Sequence, residues 1–165
     1  MNIESLRKLY IQELKDLYSA ENQLLEALPK MAAAASDEEL KQAFSDHLKE
    51  TQSHVARLET IFSKLEFAPG GHKCKAMEGL VKEGEELLKS GMEDAVLDAA
   101  LIAAAQRVEH YEMAGYGVVR AYAEKLGEQE AADMLDATLQ EEGEADRHLS
   151  RLAERRINFL AMNTN

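Results

Sequence analysis

The sequence predicts an all-α fold, a bundle of four long helices with one long crossover that contains a short extra helix. Three observations predict it. Of 165 residues, 45% are hydrophobic but only 5% aromatic, with no Trp and two Pro, and the apolar share is mostly Ala, Leu and Met, which favour helices. The apolar residues recur every three or four positions over long stretches, the period of one helix face. Turn signals divide these stretches into two long pairs separated by a longer break.

The first helix covers about 2–35, with Tyr10, Leu14, Leu17, Leu24, Leu28 and Met31 on its apolar face and a kink expected at Pro29. Ser36 followed by Glu39 reads as a capping box, and the second helix, about 37–65, carries Leu40, Phe44, Leu58, Ile61 and Leu65. Phe67-Ala-Pro-Gly-Gly71 breaks the chain. A short helix over about 73–89 ends at Ser90-Gly91. The third long helix, about 93–126, includes the apolar run from Ala99 to Ala105, and Gly127 turns it into the fourth, about 128–159. Residues 1–165 thus read as a single domain, long enough to bury a core without disulfides.

The formal charge of −12, from 31 acidic and 19 basic residues, excludes a phosphate-neutralising surface, so neither nucleic acid nor an anionic membrane is expected as a partner. No stretch has the length of a membrane span or the layout of a secretory signal. The lone Cys74 suits a reducing, cytoplasmic setting.

The chemistry lies in the acidic residues of the helix faces. Glu21 occupies the position where the stripe of Leu14, Leu17, Leu24 and Leu28 calls for another leucine, and a lone inward carboxylate would be costly. Other helices match it: Glu50 and His54 lie four apart, Glu109 and Glu112 three apart, and Glu142 falls in the stripe of Leu135, Leu139, Ala145 and Leu149, with Asp146 four beyond it. Glu21 lies 15 residues before Ser36 and Glu50 lies 14 after it; Glu112 lies 15 before Gly127 and Glu142 lies 15 after it. At 1.5 Å rise per residue each sits roughly 22 Å from its own turn, so the four meet in one layer.

Carboxylates in such a layer cannot all stay ionised unaided, because burial and mutual repulsion both favour protonation. Two metal ions resolve the conflict, and hard oxygen donors with an imidazole favour iron first and manganese second. The candidate ligands are Glu21, Glu50, His54, Glu109, Glu112, Glu142 and Asp146, with Glu112 the expected bridge. Each also has a blander reading: a single inward glutamate can be a partly solvated polar residue, and His54 reads equally as a hydrogen-bonded helix residue. His47, His72, His110 and His148 are expected at the surface or behind the ligands, and Glu141 and Glu144 to face water. Tyr18, Tyr111 and Tyr116 read as core residues near the layer, Gly115 and Gly117 as points of close helix approach, and Cys74 as a passive small residue.

Taken together, Tyr18-Ser-Ala-Glu-Asn-Gln-Leu24, His47-Leu-Lys-Glu-Thr51, Lys75-Ala-Met-Glu-Gly-Leu80, Asp98-Ala-Ala-Leu-Ile-Ala-Ala-Ala-Gln106 with Val108-Glu-His-Tyr-Glu112, and Thr138-Leu-Gln-Glu-Glu142 resemble the YciF-like stress proteins of bacteria, in the ferritin-like superfamily. The resemblance covers nearly the whole chain. It implies a ferritin-like four-helix bundle, a di-iron or di-manganese carboxylate centre and a role in oxidative or general stress response. It also implies a ligand pattern onto which Glu21, Glu50, Glu109, Glu112 and Glu142 map, although Ser53 and Ala145 stand where that pattern has histidine. Two functions are therefore expected to compete. One is a peroxidase- or oxidase-type activity toward peroxide or dioxygen; the other is a non-enzymatic metal-binding or structural role. A homo-oligomer is expected in either case, with a dimer favoured over a storage cage.

Overall fold

A computed structural model describes residues 3–164, all of whose regular structure is helical. Helix α1 (Leu6–Ala34) starts at Ser5, whose hydroxyl accepts the Lys8 N–H at 3.2 Å, and continues past Pro29. Helix α2 (Glu38–Leu65) is capped one residue later than the expected box: the Asp37 carboxylate accepts the N–H groups of Glu39 and Leu40 at 3.0 and 3.1 Å. Ser36 is diverted from capping because buried Asp98 accepts its N–H at 2.8 Å and its hydroxyl at 2.6 Å.

Helix α3 (Lys75–Leu87) lies in the crossover and packs on α4 (Asp94–Leu126) and α1. Helix α5 (Gln129–Leu152) returns along α4 after Gly127, whose φ of 76° lies in the left-handed region that favours glycine. The predicted fourth long helix is interrupted by a π turn (Ala153–Ile157) before α6 (Asn158–Met162). That wider turn buries Ile157 and carries Arg155 to Glu39 and Arg156 to Asp37, the latter at 2.6 Å, which fastens the chain end to the start of α2.

The two hairpins, α1–α2 and α4–α5, pack with α1 against α4 and α2 against α5. Each long helix offers a seam that steps alternately by three and four. The buried positions are Tyr10, Leu14, Leu17, Glu21, Leu24 and Leu28 on α1, and Leu40, Phe44, His47, Thr51, His54, Leu58, Ile61 and Leu65 on α2. On α4 they include Ala105, Glu109, Glu112, Tyr116, Val119 and Ala123, and on α5 Leu135, Thr138, Glu142, Leu149 and Leu152, with half-buried Ala145 between Glu142 and Leu149. This is the packing repeat of nearly antiparallel helices.

Polar residues interrupt all four seams at one height, so the apolar interior is two cores. One gathers Leu24, Leu28, Phe44, Leu101 and Leu149 at the end that carries α3 and α6; the other gathers Leu14, Leu17, Leu58, Tyr116 and Leu135. Leu17 also shows why α4 has Gly115: a Cβ there would lie 2.7 Å from Leu17 Cδ2, whereas one at Gly117 would meet nothing within 4 Å. Gly117→Ala is therefore expected to stabilise the fold by about 0.5–1 kcal/mol, with no matching gain from Gly115→Ala, as measured by urea unfolding.

Candidate metal centre

The polar layer brings together six side chains, all at least nine-tenths buried: Glu21 on α1, His47 and His54 on α2, Glu109 and Glu112 on α4, and Glu142 on α5. They form two groups whose potential ligand atoms lie within 4.8 Å of one another, His47 with Glu109, Glu112 and Glu142, and Glu21 with His54 and Glu142. Glu142 belongs to both. Its Oε1 lies 3.1 Å from His54 Nδ1 and its Oε2 3.7 Å from His47 Nε2, so each oxygen faces a different group.

The first group is tied by His47, whose Nε2 lies 3.4 Å from Glu109 Oε1. In the second, His54 Nδ1 lies 3.2 Å from Glu21 Oε1, and the Tyr116 hydroxyl donates to that same oxygen. The other face of His54 is held from behind. Its Nε2 lies 2.9 Å from Glu141 Oε2, and Arg57 clamps Glu141, with Nη2 on Oε1 at 2.9 Å and Nη1 also reaching Thr138 at 3.0 Å. The clamped carboxylate stays ionised, with its pKa lowered chiefly by Arg57. Nε2 therefore donates to Glu141, and Nδ1 is the nitrogen presented to the layer. Glu141→Ala is expected to lower metal affinity about 10- to 100-fold in a manganese titration, because the imidazole loses its orientation.

Burial and mutual repulsion hold the titratable groups of the layer away from their ordinary values. Burial raises the pKa of Glu21, and it raises those of Glu109 and Glu112 well above the usual carboxylate range. Burial opposes a charge on the histidines too, but the surrounding carboxylates win, pushing His47 up to about 9 and His54 up to about 11. Glu142 is lowered, because the two histidines outweigh its burial. Glu21 Oε2, Glu109 Oε2, His47 Nε2 and both carboxylate oxygens of Glu112 and of Glu142 are buried without a hydrogen-bond partner. Buried polar atoms ordinarily have partners, and carboxylate oxygens with imidazole nitrogens converging on two points fit a pair of metal ions.

Of the residues the sequence nominated, the structure brings Glu21, His54, Glu109, Glu112 and Glu142 together and leaves Glu50 and Asp146 outside both groups. Glu50 sits beside the α2 seam with its side chain 46% exposed, 3.3 Å from His47 Nδ1. Asp146 sits beside the α5 seam, where its carboxylate accepts from Gln106 at 2.9 Å and faces His110 at 3.3 Å. Glu142 is the residue common to both groups, and Glu112, the expected bridge, belongs to the first. His47, expected at the surface or behind the ligands, is buried inside the first group because it lies on the seam, and Glu141 meets His54 and Arg57 rather than water alone. Of the three tyrosines expected near the layer, Tyr116 hydrogen-bonds Glu21, whereas Tyr18 bonds Glu59 at 3.0 Å and Tyr111 bonds Asp16 and Cys74.

Residues 5–161 match the family described as a domain of unknown function, DUF892. Protein YciF of Escherichia coli strain K12 is 45% identical over 164 residues, covering 99% of each chain. The crystal structure of the E. coli stress protein YciF superposes with a TM-score of 0.91 at 44% identity, covering 94% of this chain and 99% of that one. YcfI of Rhodopseudomonas palustris superposes with a TM-score of 0.87 at 42% identity, covering 90% of this chain and 95% of that one. With its whole helical body matched in sequence and in fold, the chain belongs to the DUF892 family of YciF-like proteins.

Proposed function

We propose that this chain is a di-metal carboxylate protein that holds iron, or else manganese, in its mid-bundle layer and serves in a stress response through reaction with peroxide or dioxygen. The observation that carries the reading is Glu142, whose two oxygens face two separate groups of buried ligands. A bound redox pair would supply the electrons for reduction of the oxidant. The chain's own part is to hold the ions at a fixed separation, to exclude bulk water with the two apolar cores, and to hold His54 by the Glu141–Arg57 clamp. The stress role is supported by the likeness to YciF, a stress protein. A homodimer belongs to the same proposal, supported by the exposed apolar residues Phe159, Leu160 and Met162 near the chain end.

Metal analysis of protein purified without chelator tests the reading. Close to two iron or manganese ions per chain are expected, and metal-free protein that stays metal-free after anaerobic loading with ferrous iron would sink it.

A second reading is a metal-holding protein without turnover. The complete burial of Glu21, His54 and Glu112 favours it, because only the smallest oxidants could reach them. Peroxide consumption by the loaded protein no faster than by the same concentration of free iron would select this reading.

A further inference from the structure

The two metal groups differ in how they meet the surface. The group of Glu21 and His54 is closed: His54 is backed by Glu141 and Arg57, and Glu21 is fully buried. The group of His47 and Glu109 forms the floor of a cleft between α2 and α5 with a volume of about 290 Å³, enough for a cation that keeps part of its hydration shell. Glu39, Asp46, Glu50 and Glu144 line it with His148 and Arg151; Asp46 is paired with Lys49 at 2.7 Å and Glu39 with Arg155, which leaves Glu50 and Glu144 as the carboxylates that outweigh Arg151. At its floor the His47 and Glu109 side chains are only 7% and 3% exposed, and His47 Nε2 and Glu109 Oε2 have no hydrogen-bond partner.

We infer that this cleft is the port through which divalent metal ions reach the centre. The inference rests on the di-metal reading and adds a direction to it. The excess of carboxylates over Arg151 in the lining draws a hydrated cation from solution, since a net negative cleft raises the local concentration of counter-ions. Glu50, already paired with His47, is the last carboxylate on the path and passes the ion to His47 and Glu109. Glu142 then carries ions onward, because one of its oxygens faces the outer group and the other the closed one. The outer position fills first and the closed position through it.

Stopped-flow uptake of cobalt(II), read by its visible absorption, tests the port. Ala145 lines the cleft, so Ala145→Phe narrows it while leaving every ligand residue in place. The surface double variant Asp46→Asn with Glu144→Gln removes rim charge with little risk to folding. Uptake about tenfold slower is expected in Ala145→Phe, and several-fold slower in the double variant. The double variant should also lose most of its salt dependence, and both should end at the wild-type amount of bound cobalt. A control with Glu26→Gln and Glu83→Gln, carboxylates outside this cleft, should load at the wild-type rate. If the double variant loads as fast as wild type with the same salt dependence, the port is overturned while the metal centre stands. If wild type binds no cobalt, iron or manganese at equilibrium, port and centre fall together.

Discussion

Glu142→Gln is expected to empty both halves of the centre at once, taking bound metal from about two ions per chain to near zero. The substitution keeps the size of the side chain and removes the one carboxylate common to both ligand groups. An amide presents one oxygen where the carboxylate presents two, so a shared position cannot be filled. Single-group ligands should behave differently. Glu21→Gln should lose the closed position and Glu109→Gln the outer one, each leaving about one ion at equilibrium, with Glu109→Gln reaching it more slowly because the closed position fills through the weakened outer one. Glu50→Gln should keep both ions and only load more slowly. Metal content by elemental analysis after anaerobic loading and desalting separates these patterns. Equal losses in Glu142→Gln and Glu50→Gln would restore Glu50 to the ligand set and remove the special place of Glu142.

The seam explains both what could be read in the sequence and what could not. Counting outward from Ser36 and Gly127 locates the layer because helix rise is constant, and Glu21, Glu112 and Glu142 all lie on three-four steps of inward positions, half-buried Ala145 completing the series on α5. On α2 the same steps run Leu40, Phe44, His47, Thr51, His54, Leu58, and they select His47 and His54 while passing beside Glu50. The helical period alone thus points to His47, whereas a rule of one glutamate from each helix points to Glu50. Asp146 likewise lies one position off the α5 seam and outside both groups. The Arg57–Glu141 clamp had no such signal: it joins residues 84 apart in the chain, and neither lies in a buried stripe. Similarly, Ser36 and Glu39 satisfy the pattern of a capping box, yet Asp98, 62 residues away, takes the serine hydroxyl and leaves the cap to Asp37. Local periodicity fixes which face turns inward; pairings across the bundle decide what the polar groups on that face meet.

The same layer should make the metal-free protein less stable than its fold requires. Glu112 is fully buried with neither carboxylate oxygen hydrogen-bonded, and its pKa is raised well above the usual range, chiefly by burial. Replacing an unsatisfied buried polar group by an apolar one of similar shape removes a penalty of about 1–3 kcal/mol. Glu112→Met is thus expected to raise the Tm of metal-free protein by several degrees, roughly 2–8 °C, and to weaken metal binding. The pH dependence should point the same way. His47 and His54 titrate from about 9 and about 11 in the folded chain against an ordinary value near 6.5. A raised histidine pKa contributes stability that is fully present below about pH 6.5 and is lost as pH rises through the folded value. Metal-free protein should therefore lose stability from pH 6.5 to pH 9. Metal takes up the ring nitrogens and carboxylate oxygens that otherwise hold protons, so loading should release protons, and the rise in Tm on loading should grow over the same range. Calorimetry of metal-free and manganese-loaded protein at pH 6.5 and pH 9 measures both slopes. A metal-free Tm that climbs with pH, or a Glu112→Met variant that unfolds earlier than wild type, would mean that the buried carboxylates are accommodated by the fold alone and that the layer carries no strain for a metal to relieve.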